Sequence, residues 1–202
     1  KFSYDSMGHL TETADALSQT TQYLYSTSDC ACSATANLAL FRDAAGYTRS
    51  QTYDFKDLLD STTDALGNAT GYVYEARGNV QREIDAAGYA TLFEYDAAGR
   101  LTRKAYPDGS EARFSYDQAG NLTSARNQHV TLTYTYDELH RVTSVADSRF
   151  QQVIRYTYNK LGMRTAMTDP AGGVTAYTYD ANLRLASIRA PAGSLVRFSY
   201  DA

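Results

Sequence analysis

The chain has 202 residues, a formal net charge of −4, 18 tyrosines, no tryptophan and three prolines. That length holds one large domain or two small ones, and an acidic chain with no basic stripe is a poor partner for nucleic acid. No apolar run approaches the roughly 18 residues of a membrane-spanning helix, no secretory leader is visible, and two cysteines are too few for a disulfide scaffold.

In chain order, a first short strand carries Phe2 and Tyr4, a turn runs from Asp5 to Gly8, and a second strand starts at Leu10. The same order returns with Tyr23 and Tyr25. A longer repeat follows over 26–52, with a seven-residue insertion and the pair Cys30 and Cys32. The pattern then recurs at Tyr53, Tyr74, Tyr95, Tyr116, Tyr136, Tyr158, Tyr179 and Tyr200. These tyrosines are spaced by 21, 28, 21, 21, 21, 20, 22, 21 and 21 residues. Such a fixed period is the signature of a repeat architecture.

Each unit reads alike. Two residues before each tyrosine stands an aromatic in nine of ten cases, Gln51 being the exception. The residue after it is Asp in seven of ten, including Asp5, Asp96, Asp117, Asp137 and Asp180. Gly99 and Gly120 exemplify the glycine three residues further on, and Leu101 and Leu122 the aliphatic that follows. A second turn signal comes later, as in DAAG at 43–46 and 85–88, DALG at 64–67 and PDG at 107–109.

Aromatics at i and i+2 share one face of a strand. Aspartate at a turn start hydrogen-bonds its own backbone, and glycine supplies a positive φ. Two short strands and two turns per period predict one β-hairpin per repeat. No segment sustains a 3.6-residue period, so no helix is expected. The expected fold is all-β: tandem ~21-residue hairpins forming a curved, spiralling antiparallel sheet, since wide sheets twist and curl. The tyrosine columns are expected to stack from repeat to repeat as ladders. The chain is expected to be one array of about nine units over 1–202, an excerpt of a longer protein.

The motif Tyr95-Asp96-Ala97-Ala98-Gly99-Arg100-Leu101-Thr102, followed by Asp85-type DAxG turns, resembles the Rhs/YD-repeat family across the whole chain. The resemblance implies part of a hollow shell built from a spiralling β-sheet. In bacterial polymorphic toxins and the C-subunits of insecticidal toxin complexes, such a shell encloses a toxic C-terminal domain. In teneurins a similar shell belongs to an extracellular adhesion receptor. A bacterial, secreted or cell-surface setting is the implied localisation.

Other candidates have plainer readings. Cys30 and Cys32 lack the further ligands of a closed zinc site, and His9, His129 and His140 fall at or near turns. Asp169-Pro170-Ala171-Gly172 matches the DPxG of the family's self-cleaving core but aligns with an ordinary repeat turn. Asn68 and Asn121 head glycosylation-type triplets, again in turns. No cofactor, metal or catalytic residue is expected. The expected partners are neighbouring repeats and an enclosed C-terminal effector. The alternative is a surface module whose exposed tyrosines stack on cell-surface glycans.

Overall fold

The computed structural model describes residues 1–26 and 36–201. Cys30 and Cys32 lie outside them. The described chain is all-β, with 19 antiparallel strands and no helix among the described residues. It divides into two compact units, Lys1–Gly109 and Ser110–Ala202.

The first unit holds β1 (Phe2–Tyr4), β2 (Leu10–Ala14), β3 (Thr20–Tyr25), β4 (Leu38–Arg42) and β5 (Thr48–Tyr53). It continues with β6 (Leu59–Thr63), β7 (Ala69–Tyr74), β8 (Val80–Ile84), β9 (Ala90–Tyr95) and β10 (Leu101–Ala105). The second holds β11 (Glu111–Tyr116), β12 (Leu122–Arg126), β13 (Thr131–Tyr136), β14 (Val142–Asp147) and β15 (Gln152–Tyr158). It ends with β16 (Arg164–Thr168), β17 (Val174–Tyr179), β18 (Leu185–Arg189) and β19 (Leu195–Arg197). Within each unit every strand pairs with the next in sequence, so each unit is an antiparallel meander.

Two kinds of strand pair alternate. Across the YD turn the ladder is bulged. In β13/β14, Tyr134 faces Val145 and Thr135 faces Ser144, but Tyr136 faces Val142. Thr143 is the extra residue, and the bulge turns the strand end. In β9/β10 the extra residue is Thr102, whose hydroxyl donates to the Glu94 carbonyl at 3.1 Å. Thr123 does the same to the Ser115 carbonyl, also at 3.1 Å. Between repeats the ladder is short and regular, as in β12/β13, where Ser124, Ala125 and Arg126 face Thr133, Leu132 and Thr131.

The period-2 pattern sorts the faces. In β13, Leu132, Tyr134 and Tyr136 are half-buried on one side, while Thr133 and Thr135 are exposed on the other. No described side chain is fully buried. Stabilising contacts therefore run along the aromatic face from strand to strand, with no enclosed core behind it.

Most described turns use one geometry, a five-residue loop whose fourth residue is left-handed; the turns at Asn127 and after Asp147 differ. Gly99 has φ 77° and fills that position without strain, because it lacks a Cβ. Leu183 fills the equivalent position at φ 64°, where an L-residue costs roughly 1–2 kcal/mol. Its side chain is 52% exposed, so little packing offsets the strain. Leu183→Gly is therefore expected to raise the urea midpoint of the chain, a gain of about 1 kcal/mol after the added freedom of the unfolded glycine. An unchanged or lower midpoint would contradict the strain argument.

Candidate functional site

The repeated feature with the most chemistry is the junction between one hairpin and the next. It begins at the YD turn. In the turn at Asp96, the Asp96 N–H donates to the Arg100 carbonyl and the Gly99 N–H to the Asp96 carbonyl, both at 3.0 Å. Asp96 Oδ1 accepts from the N–H groups of Ala98 (2.9 Å) and Arg100 (3.0 Å). The same double acceptance recurs at Asp5, Asp54, Asp137 and Asp180. Asn159 does it too, with Leu161 and Met163 as donors. The Asp169 segment is such a turn: Gly172 N–H reaches the Asp169 carbonyl and Gly173 N–H its Oδ1.

The second carboxylate oxygen holds the residue four positions on. Arg100 and Arg141 donate Nε to Asp96 and Asp137 Oδ2 at 2.7 Å, and Arg184 to Asp180 at 2.9 Å. These hydrogen bonds hold the aspartates below the ordinary carboxylate range. At Asp96 and Asp137 the arginine side chain is the main cause; at Asp180 it is the Arg184 backbone N–H. Asp5 is lowered chiefly by the His9 side chain, and Asp64 and Asp117 by the side-chain amides of Asn68 and Asn121.

Two of these arginines, Arg141 and Arg184, also reach the following hairpin. Arg141 stacks 4.8 Å from the centre of the Tyr158 ring and donates to the Asn159 carbonyl at 3.0 Å. Arg184 lies 4.7 Å over Tyr200 and donates to the Asp201 carbonyl at 3.2 Å. His9 occupies this position against Tyr25, with ring centres 4.9 Å apart. A guanidinium pinned by its own turn is thus presented to the next tyrosine at little entropic cost.

The tyrosines complete the junction. In the first unit the hydroxyls of Tyr25, Tyr53, Tyr74 and Tyr95 donate to the carbonyls of Leu10 (3.0 Å), Leu38 (3.0 Å), Leu59 (2.7 Å) and Val80 (2.9 Å). In the second, Tyr136, Tyr158, Tyr179 and Tyr200 donate to Leu122 (2.8 Å), Val142 (2.8 Å), Arg164 (2.9 Å) and Leu185 (2.9 Å). Each acceptor is the first residue of the strand before, at the bulge, where the regular ladder toward the next repeat has stopped. The phenol thus satisfies a carbonyl that would otherwise lack a strand partner. Desolvation raises the hydroxyls of Tyr53, Tyr74, Tyr95 and Tyr136 above the ordinary tyrosine range.

Every expected repeat position in the described residues except Tyr200, three residues beyond β19, falls at a turn or strand end. Tyr4 closes β1 and is 61% exposed, Tyr116 closes β11, and Gly120 has φ 92° in the turn at Asp117. Leu101 and Leu122 start β10 and β12. The linkage differs from a ring-on-ring ladder. Successive tyrosines are separated by an intervening strand, so their backbones stand roughly 9–10 Å apart, and the ring of Tyr158 meets the Arg141 guanidinium. Beside the backbone ladder, what joins repeats at this column is hydroxyl to carbonyl and guanidinium to ring. Arg141 and Arg184 had no place in the sequence-based set of repeat positions. Their signal was Arg four residues after the turn aspartate, three times in the chain.

A sheet in which each hairpin presents the same donor and ring to the last one defines a class: a tandem β-hairpin repeat protein, with repeat-to-repeat association built into its motif. The RHS Repeat family profile matches residues 74–111, 95–128, 116–149 and 158–194, more than half of the chain. The chain belongs to the RHS Repeat family. No curated protein matched it. Among solved structures it is similar to TcdB2-TccC3, with 18% identity over 96% of this chain and a TM-score of 0.65. A TcdB2-TccC3 structure without its hypervariable C-terminal region gives 20% identity, 89% coverage and a TM-score of 0.63. A Photorhabdus luminescens Tc holotoxin pore gives 15%, 93% and 0.61. The chain spans only 12%, 12% and 14% of those chains respectively. These likenesses establish the fold.

Proposed function

We propose that this chain is a structural wall segment of an Rhs-type shell that encloses a C-terminal toxin or effector domain of a longer bacterial protein and helps deliver it. The observation that carries this reading is the junction: eight YD tyrosine hydroxyls bond the preceding hairpin, so the motif's chemistry goes into joining hairpins. In this reading the 202 residues are one array of about nine YD repeats, with 26–52 the long one. Tyr4, Tyr74, Tyr95, Tyr116, Tyr136, Tyr158, Tyr179 and Tyr200 link repeats. Asp5, Asp96, Asp117, Asp137 and Asp180, with Gly99 and Gly120, shape turns, Leu122 supplies an acceptor carbonyl, and Leu101 starts a strand at the bulge. The role is structural rather than catalytic, and the setting secreted or cell-surface. The toxin association rests on the holotoxin likeness, and a variable C-terminal cargo on the relative whose C-terminal region is called hypervariable.

The full-length parent protein, purified natively, tests this. A C-terminal fragment that co-elutes on native size exclusion and separates only in denaturant is the expected result. A single intact chain that retains nothing overturns it.

A further inference from the structure

The aromatic column two residues before each tyrosine is broken at Gln51. Gln51 faces Thr62 across β5/β6. The equivalent pairs elsewhere are Tyr134 with Val145 and Tyr156 with Met167. In the other hairpins a ring holds the position of Gln51, opposite partners as different as Val145, Met167, Thr13 and Glu83. Gln51 borders a cavity of about 860 Å³ within the first unit. That is within the range of small-molecule sites, roughly 300–1,000 Å³.

Its walls come from neighbouring elements: Leu38 and Phe41 on β4, Arg49 and Gln51 on β5, and Tyr47 and Leu66 from two turns. Phe41 packs edge-on against Tyr23, ring centres 5.6 Å apart, so that wall is preformed. Tyr47 is 64% and Leu66 85% exposed, leaving apolar surface open at the mouth. Arg49 faces Phe41 directly across β4/β5 and is exposed on the aromatic side of the strand. Among the described residues it makes no ion pair or hydrogen bond. Asp64 also borders the cavity, but Oδ1 accepts from the N–H groups of Leu66 and Asn68, and Oδ2 from Asn68 Nδ2. Arg49 is therefore the cation in the cavity wall whose donors are unspent.

We propose that this cavity binds a small amphipathic anion, with its flat apolar body against Phe41, Tyr47 and Leu66 and its anionic group on the Arg49 guanidinium, beside the Gln51 amide. Apolar walls supply the affinity, and one arginine fork fixes orientation. In each of the other hairpins a ring stands at the position of Gln51.

Isothermal titration with anilinonaphthalene sulfonate, and with phenylnaphthylamine, the same body without the charge, tests the site. The expected result is one sulfonate site per chain, with the sulfonate bound on the order of tenfold more tightly than the amine. Arg49→Gln should erase that difference and leave amine binding unchanged. Gln51→Tyr, which restores the residue type of the other repeats and so preserves folding, should abolish binding of both. No saturable binding, several equivalent sites, equal affinity for the two probes in the unaltered chain, or full binding by Gln51→Tyr would each overturn the proposal.

Discussion

Tyr158→Ala is expected to lower the stability of the chain by about 3 kcal/mol, and Tyr158→Phe by about 1 kcal/mol. The phenylalanine change removes only the hydroxyl, which donates to Val142 at 2.8 Å, and leaves that carbonyl at the bulge without its donor. The alanine change also removes the half-buried ring and the stacking of Arg141, 4.8 Å from its centre. Arg141 would keep its bonds to Asp137 and to the Asn159 carbonyl, so the turn itself should survive. The loss falls on the link between β14 and the hairpin of β15 and β16. In a repeat protein each unit contacts only its neighbours, so weakening one interface lets the two sides unfold separately. Urea denaturation followed by far-ultraviolet circular dichroism should show a lower midpoint for the phenylalanine variant. For the alanine variant it should show a broadened or two-step curve. If both variants unfolded together with the unaltered chain, the tyrosine link would not hold the repeats.

The strands and most turns were legible because each leaves a local trace. Alternating aromatics mark a strand face, and aspartate with glycine three residues on marks the turn that ends it. The turn at Asp15 left a weaker trace. Its fourth residue is Ser18, at φ 61°, yet Asp15 Oδ1 accepts from Leu17 and Gln19 as in the glycine turns. His140 and Leu183 likewise hold left-handed positions that no glycine announces. The tyrosine's partner was not legible, because the acceptor is a backbone carbonyl, which has no letter in a sequence. One clue was present. The column before it admits Phe2, Phe93, Phe114 and Phe198, while the YD column is tyrosine in all ten positions. A ring alone would tolerate the same exchange in both, so the strictness reports the hydroxyl. The Gln51 exception was visible as a letter, but the cavity it borders depends on what Leu38, Phe41 and Leu66 place around it.

Acid is expected to unfold the chain through its turns. Asp5, Asp64, Asp96, Asp117, Asp137 and Asp180 all sit below the ordinary carboxylate range in the folded state, each through hydrogen bonds its own turn supplies. A depressed folded value means the unfolded chain binds protons first. The stabilisation is complete above the unfolded value of about 4 and is lost as pH falls through the lower folded values. Six turns titrate in the same window, so the losses accumulate. The tyrosines act at the other limit. Tyr53, Tyr74, Tyr95 and Tyr136 are raised by desolvation, so their contribution is present below about pH 10 and lost as pH rises through the folded values. Asn159 shows how to separate charge from turn geometry. Its Oδ1 accepts the same two backbone bonds, at 2.9 and 3.0 Å, with no proton to gain in this range. Asp96→Asn should therefore keep its turn, lose the Arg100 ion pair, and start from a lower urea midpoint near neutral pH. Between about pH 6 and pH 3 that midpoint should fall less steeply than in the unaltered chain, because one of the six titrating turns is gone. Equal slopes would mean that the acid sensitivity arises elsewhere, and a flat profile in the unaltered chain would remove the turns from the account altogether.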